Sequence, residues 1–158
     1  MATLFVVGMM ITGCKKDEAI PTSNPTSNPT TNTYTVVYKI DNQGVVDNLI
    51  MSPCFKMNVA YTDANGQLVT ENNATLPWSK FVNVECPFHA KMTGVLTYNE
   101  EDLPDTVVFG LVRGIGLYTN GTGSVVMGGS MSTISKENFL RLVTEHPDRL
   151  QFTMEKDF

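Results

Sequence analysis

Residues 55–71, FKMNVAYTDANGQLVTE, decide the fold. Apolar residues occupy positions 55, 57, 59 and 61 with polar or small residues between them, which is the pattern of a strand with one buried face. Asp63-Ala64-Asn65-Gly66 then contains the Asn-Gly pair that favours a tight turn, and residues 67–71 can return as a second strand. The sequence therefore predicts an antiparallel hairpin.

Strand patterns continue on both sides of this hairpin. Upstream, Tyr34, Val36, Tyr38 and Ile40 share one face of a strand. Downstream, residues 78–85, 89–98, 106–117 and 123–129 are further candidates, and Asn120-Gly121 is a second turn. Short strands separated by turns in this way are typical of a mainly β, antiparallel fold.

One segment near the carboxyl end follows a helical pattern instead. Ser135 can cap a helix in which Phe139, Leu140 and Val143 cluster on one side, and the helix should stop before Pro147. Alternation then resumes over residues 150–155, so we expect a last strand that closes the sheet near its start. The fold class predicted is thus mainly β with one short C-terminal helix.

Size and charge limit the domain count and the partners. Residues 34–158 are enough for one domain with its own core. The whole chain has 11 Lys and Arg against 16 Asp and Glu, a formal net charge of -5 at pH 7. This acidic balance argues against nucleic acid as a partner, because phosphate backbones attract basic proteins.

The first thirteen residues have the character of an export signal. Residues 4–13 are almost wholly apolar and would span only about 15 Å as a helix, roughly half the hydrocarbon core of a bilayer. They also lack the polar face that a surface helix of a folded domain needs. The sequence therefore predicts that residues 1–13 are a signal peptide that is cleaved off.

Residues 11–18 carry a more specific resemblance. Ile11-Thr12-Gly13-Cys14 resembles the lipobox of bacterial lipoproteins, which implies cleavage before Cys14 and attachment of lipid to its thiol. Lys15-Lys16-Asp17-Glu18 is similar to the signal that sends Bacteroidota lipoproteins to the outer face of the outer membrane. A solvated charge run remains the alternative for these four residues, and the periplasmic face the alternative address.

Residues 14–33 connect this anchor to the domain. After the charges the sequence is AIPTSNPTSNPTTNT, with Pro21, Pro25 and Pro29 at regular spacing and no apolar residue after Ile20. Such a segment buries nothing and tends toward polyproline II, at about 3.1 Å per residue. We expect a stalk of up to about 45 Å.

A family resemblance covers part of the domain. YTVVYKI at residues 34–40 and VAYTDANGQLVTENNATLPWSKFVNV at residues 59–84 resemble small Bacteroidota lipoproteins described as MmpS-like, and Thr75-Leu76-Pro77-Trp78-Ser79-Lys80 is the most specific part. The resemblance implies an immunoglobulin-like antiparallel β-sandwich over residues 34–158, following a lipobox and a linker. Residues 41–58 and the C-terminal helix depart from the family pattern.

Several residues are candidates for bonds or ligands. Cys54 and Cys86 can form a disulfide in an exported protein, with two free thiols as the alternative. Four acids in one loop are a weak candidate for Ca²⁺, with a solvated loop as the alternative: Glu100, Glu101, Asp102 and Asp105. No other metal site, and no cofactor, is indicated.

Two further candidates concern glycans. Asp105-Thr106-Val107 resembles the O-glycosylation motif of exported Bacteroidota proteins, with Thr106 as the acceptor. Trp78 and Tyr118 can form an aromatic surface for a sugar ring, although a single Trp in a sandwich more often belongs to the core.

No residue pattern for catalysis emerges. The sequence predicts a membrane-anchored, non-enzymatic module for binding, adhesion or assembly, with an unidentified protein or glycan as ligand. An accessory subunit of an envelope transport complex is the alternative.

Overall fold

The structure, a computed structural model, describes residues 33–45 and 49–158. These residues form ten strands and one α-helix. In chain order they are β1 (Tyr34–Asp41), β2 (Lys56–Thr62), β3 (Leu68–Ala74), β4 (Trp78–Val84), β5 (His89–Thr97), β6 (Thr106–Gly110), β7 (Val112–Thr119), β8 (Thr122–Ser124), β9 (Met131–Ser135), α1 (Lys136–Glu145) and β10 (Gln151–Asp157). Short 3-10 turns lie at Glu100–Asp102 and Pro147–Leu150.

Two four-stranded antiparallel sheets form the body of the domain. One has the strand order β4-β1-β7-β8 and the other β10-β5-β2-β3, and a separate two-stranded ribbon pairs β6 with β9. The predicted fold class, a mainly β antiparallel sandwich with one short C-terminal helix, is confirmed. The predicted hairpin is also confirmed as β2–β3, in which Tyr61 lies opposite Val69.

The core lies between the two sheets, where the alternating apolar residues of the sequence meet. Val36, Tyr38 and Ile40 of β1 are fully buried, and Met57, Val59 and Tyr61 project from β2 toward them. The rings of Tyr38 and Tyr61 lie 5.6 Å apart, and the Tyr38 hydroxyl donates to the Thr62 carbonyl oxygen at 2.8 Å. Burial raises the pKa of Tyr38 to about 12, so the hydroxyl stays protonated and keeps this bond between the sheets.

The sandwich has two unlike ends. At the linker-side end, β1 begins next to Thr33, β2 and β10 finish, and β5 begins. At the distal end, where β1 finishes at Asp41, the β6–β9 ribbon and α1 cover the core. Phe139 of α1 packs there with three other aromatic rings, those of Phe55, Tyr98 and Phe109.

The helix begins and ends where the sequence predicts. The Ser135 hydroxyl accepts a hydrogen bond from the Asn138 backbone N–H at 3.3 Å, and His146 follows the last helical residue just before Pro147. Phe139 and Val143 are buried, as the predicted apolar side requires.

The strand predicted at residues 106–117 is present as two strands, because the chain changes sheets at Leu111. β6 ends at Gly110 and pairs with β9, whereas β7 begins at Val112 and pairs with β1. The β9 strand itself was not predicted. The sequence does not show this change of sheet, because apolar residues continue on both sides of Leu111. The residues before it and after it are buried in different layers.

The strand predicted at residues 123–129 is also only partly present. β8 covers Thr122–Ser124, and an isolated bridge follows between Arg113 and Gly128. Between them the chain passes close over the outer face of β7, where a β carbon on Gly114 would lie 2.5 Å from the Val126 carbonyl oxygen. Glycine in β7 therefore makes room for this segment.

The position of the last strand differs from the prediction. β10 pairs with β5, Phe152 opposite Gly94, and forms the edge of the sheet that does not contain β1. It therefore does not close the sheet beside the first strand. The final strand exists because of its local alternation, but its pairing depends on contacts far apart in sequence.

Candidate functional site

A cavity of about 1020 Å³ opens at the linker-side end of the sandwich. We call it the linker-side cleft. One rim is the β2–β3 turn with the first residue of β3, and the other is the end of β4 with the turn into β5. Its polar lining residues include Asn65, Asn83, Glu85, His89 and Lys91.

The first rim is held by one carboxylate. Asp63 Oδ1 accepts hydrogen bonds from the backbone N–H groups of Asn65 at 2.9 Å and of Gln67 at 2.8 Å. Gly66 has a φ of 76°, a conformation in which glycine has no side chain to clash. The turn is thus fixed by its own sequence, and Ala64 and Asn65 are presented at its tip, exposed to solvent.

The second rim is tied to the carboxyl end of the chain. Phe88 and Phe158 exchange two backbone hydrogen bonds, each 3.0 Å long. The His89 Nδ1 lies 2.6 Å from an Asp157 carboxylate oxygen, and the Lys91 ammonium lies 2.6 Å from Glu155. The Lys91 ammonium lowers the pKa of Glu155 by this hydrogen bond.

Thr62, a buried residue whose hydroxyl group is hydrogen-bonded, forms part of the lining of the cleft. The Thr62 hydroxyl accepts from the Lys91 backbone N–H at 3.0 Å and donates to the Lys91 carbonyl oxygen at 3.3 Å. This pair joins β2 to β5 beneath the cleft without leaving a buried polar atom unpaired. These bonds fix Thr62 and Lys91 relative to each other at the floor of the cleft.

The cleft can bind a polar partner more readily than it can do chemistry. It offers amide, carboxylate, imidazole and ammonium groups beside the apolar side chains of Leu68 and Phe88, and Leu68 is 57% exposed. Over residues 33–45 and 49–158, no group of three His, Cys, Asp or Glu side chains converges as a metal site would require.

A second cluster of polar side chains joins the two sheets at one edge. Glu71 of β3 accepts hydrogen bonds from the Trp78 indole at 2.9 Å, from Lys80 at 2.8 Å and from the Tyr61 hydroxyl at 3.3 Å. Trp78 and Lys80 belong to β4 in the other sheet. The most specific part of the family resemblance thus lies in a contact that holds the sandwich together.

The hydrogen bonds of Glu71 predict that the free energy of unfolding depends on pH. The hydrogen bonds from Lys80 first, and then from Trp78, lower the pKa of Glu71 below its ordinary value. A carboxylate with a lowered pKa in the folded protein stabilises it above the unfolded pKa, and that contribution is lost as pH falls through the folded pKa. Glu71→Gln should lower the free energy of unfolding by about 1 kcal/mol at neutral pH.

Urea unfolding of the variant and the wild type across the acid range measures this effect. We expect the difference between the two proteins to shrink as pH falls from about 6 to about 3. Glu101→Gln is the matched control, because Glu101 is exposed and its carboxylate has no partner in the described structure. A difference for Glu71→Gln that stays constant with pH would contradict the role of its charge.

The aromatic surface predicted from Trp78 and Tyr118 is not present. Trp78 is only 8% exposed and its ring packs 5.7 Å from that of Tyr61 in the core. Tyr118 lies opposite Thr35 on the outer face of the sheet, where its ring covers Gly123. The two rings face different sides of one sheet, so the core alternative for Trp78 is the one observed.

The predicted Cys54–Cys86 disulfide is wrong. Cys54 is a free thiol at intermediate burial, and this burial raises its pKa. Cys54 precedes β2 at the distal end, whereas Cys86 lies in the turn at the linker-side end. A seven-residue strand separates these ends by about 20 Å, and a disulfide needs α carbons within about 7 Å.

The acidic loop does not form the predicted calcium site. Glu100–Asp102 form a 3-10 turn in which the Asn99 side chain accepts from the Glu101 backbone N–H, and its amide contacts Asp102. Asp105 instead binds α1 through its backbone, as its carbonyl oxygen accepts from the Lys136 N–H. The structure therefore agrees with the alternative interpretation, a solvated loop, and the Asn99 cap explains the shape of this loop.

Two modification predictions stay predictions. Thr106 is exposed at the first position of β6, opposite Ser135, so the hydroxyl is accessible to solvent. Cys14, the signal peptide and the linker up to residue 32 lie outside the described residues. Among the described residues, no helix has the length and apolar character needed to cross a membrane.

The residues of the linker-side cleft were not among the sequence candidates. They come from three separate segments, and each alone has the pattern of an ordinary turn or strand end. Only Asp63 carried a local signal, since an Asp at the start of an Asn-Gly turn commonly caps it.

Comparison with known proteins adds no relative: no protein-family model matches this chain, and no curated protein matches it significantly. The class that the described residues define is therefore the antiparallel β-sandwich with an open cleft at one end.

Proposed function

We propose that this chain is a lipid-anchored protein of the bacterial cell envelope that binds a protein or glycan ligand in the linker-side cleft. It acts as a binding, adhesion or assembly module and not as an enzyme. The observation that carries the proposal is the cleft itself, an open cavity of about 1020 Å³ between two rims that hydrogen bonds hold in place. A preorganised cleft loses little entropy when a ligand binds.

The envelope location rests on the amino-terminal sequence. Cys14 follows an apolar run and a Thr-Gly pair, and a proline-rich linker separates it from the sandwich. Lys15-Lys16-Asp17-Glu18 supports the outer membrane, facing outward, as the address. The resemblance to MmpS-like lipoproteins supports the same anchoring.

A blocked cleft tests the proposal. Residues 15–158, expressed without the leader, would be screened on a glycan array and against envelope proteins solubilised in mild detergent. Ala64→Trp places a large side chain on the exposed rim of the cleft, and Thr122→Trp places the same side chain on exposed β8. We expect Ala64→Trp to weaken binding at least about tenfold and Thr122→Trp to leave it unchanged.

Equal binding by both variants would contradict the assignment of the cleft. Turnover of an ester, peptide or glycoside panel by the wild-type chain would contradict the non-enzymatic assignment.

One observation favours a second candidate, an accessory subunit of an envelope transport complex. Thr33, the first described residue and the one that follows the proposed linker, lines the cleft. A partner that is bound near the start of the domain can be a membrane complex if the chain is anchored through Cys14. Co-purification of a membrane transporter with the wild type, but not with Ala64→Trp, would favour this candidate over adhesion.

A further inference from the structure

A second cavity, of about 360 Å³, lies at the distal end of the sandwich. We call it the distal cavity. Its walls include Arg113 of β7, Ser130 and Ser132 in and beside β9, Leu142 of α1, and Arg149 of the turn before β10. Because Arg113 pairs with Ile40 near the end of β1, this cavity is about 20 Å from the linker-side cleft.

Arg113 is held in one position before any ligand binds. Its guanidinium carbon lies 5.3 Å from the centroid of the Phe152 ring, and Nη1 donates to the Leu111 carbonyl oxygen at 2.6 Å. Phe152 is itself fixed, because it is buried and packs over Gly94, where no β carbon stands in its way. A guanidinium stacked on a ring keeps most of its donors free for an anion.

Within the part of the chain that the structure describes, neither arginine of the cavity has an acidic partner. Across residues 33–45 and 49–158, the ion pairs involve Lys39, Lys80, His89 and Lys91, and neither Arg113 nor Arg149. Asp148 adjoins Arg149 in sequence but forms no ion pair with it. Two unpaired guanidinium groups beside one cavity are notable in a chain whose net charge is -5.

The other walls suit an organic ligand. The side chains of Ser130 and Ser132 add hydroxyl groups, while Phe109, Ile134 and Leu142 add an apolar surface. Ligand sites of this size combine an apolar wall with a few polar groups that fix the orientation. A guanidinium pairs with a carboxylate through two parallel hydrogen bonds, which gives direction as well as attraction.

We propose that the distal cavity binds an acidic saccharide unit, with its carboxylate against Arg113 and Arg149 and its ring against the apolar wall. Its volume admits about one sugar ring. The cavity lies at the end of the sandwich opposite Thr33. This site is separate from the linker-side cleft and does not depend on it.

Titration of residues 15–158 with methyl glucuronide tests the proposal. Methyl glucoside, which lacks the carboxylate, and inorganic phosphate are the comparison ligands. Binding is measured at low ionic strength by ¹H–¹⁵N NMR, with the backbone amides of Ser130 and Ser132 as reporters. We expect glucuronide to shift these amides and glucoside to bind at least about tenfold more weakly.

Variants assign the carboxylate to the arginines. Arg113→Gln should weaken glucuronide binding at least about tenfold, and Arg149→Gln severalfold. Arg149 is exposed, so this second variant is expected to fold normally, which its thermal unfolding midpoint would verify. Arg141→Gln is the matched control, because Arg141 is exposed on α1 and bonds only to Asn138.

The outcomes separate this proposal from the one on the cleft. Ala64→Trp should bind glucuronide like the wild type, whatever its effect on a ligand of the cleft. Equal binding of glucoside and glucuronide, or equal effects of Arg149→Gln and Arg141→Gln, would overturn the proposal. Binding of phosphate without binding of glucuronide would overturn it as well, because the cavity would then take a free oxyanion and not a sugar.

Discussion

Replacing Phe139 with alanine should lower the free energy of unfolding by about 3–5 kcal/mol. Phe139 is 0% exposed, and its ring lies 5.0 Å from that of Phe109, 5.1 Å from Tyr98 and 5.5 Å from Phe55. Truncation removes these edge-to-face contacts and leaves a cavity that the neighbouring strands can fill only in part. Because α1 also caps the distal end, the loss should affect the whole domain.

Urea unfolding followed by circular dichroism measures this loss. Phe81→Ala is the matched control, since Phe81 is 66% exposed on the outer face of β4 and the same atoms are removed. We expect a change within about 0.5 kcal/mol for the control. If Phe139→Ala fails to fold, Phe139→Leu should still fold and show a smaller loss. Equal stability of the Phe139 and Phe81 variants would contradict the packing described.

The helix is therefore a part of the core and not an appendage to the sandwich. It extends the β6–β9 ribbon, since β9 ends at Ser135 and Ser135 caps α1. Together the ribbon and helix close the distal end and leave the linker-side end open. This asymmetry places the large cleft at one end and the smaller arginine-lined cavity at the other.

Local patterns predicted most of the elements correctly. The alternation in β1 and β2, the Asn-Gly turns and the Ser135 cap each depend on residues only a few positions apart. Gly66 and Gly121 do adopt the positive φ that their turns require. The physical cause is short-range, so a single sequence is enough to detect it.

Pairings between distant segments were not predictable in the same way. The chain changes sheets at Leu111 although apolar residues flank it on both sides, and β10 pairs with β5 because of the tertiary arrangement alone. The predicted pairing of Cys54 with Cys86 failed for the same reason, since the sequence does not show that the two residues lie at opposite ends of the sandwich.

The same difference between local patterns and long-range contacts applies to the candidate sites. Sequence reasoning found single residues with reactive or aromatic groups, such as Trp78, but not the sets that the fold brings together. Glu71 joins Trp78 and Lys80 across two sheets, and Arg113 and Arg149 line one cavity only because β7 and the last turn both reach the distal end. The spacing of these residues along the sequence does not predict that they come together.

Replacing Cys14 with alanine should abolish lipid attachment and release the protein from the membrane fraction. In the proposed anchoring the lipid is bonded to the Cys14 sulfur, so no other residue should substitute for it. Each buried methylene of an acyl chain contributes about 0.8 kcal/mol to membrane binding, and the linker has no apolar segment to replace it. Cys54→Ala is the matched control, because it removes a cysteine of the folded domain.

Growth with an alkyne-labelled fatty acid, followed by purification and detection of the label, tests the lipid-anchored assignment most directly. We expect label on the wild type and on Cys54→Ala, none on Cys14→Ala, and a mature amino terminus at Cys14. An unlabelled wild-type protein, or a Cys14→Ala variant that still carries the label and sediments with membranes, would contradict it.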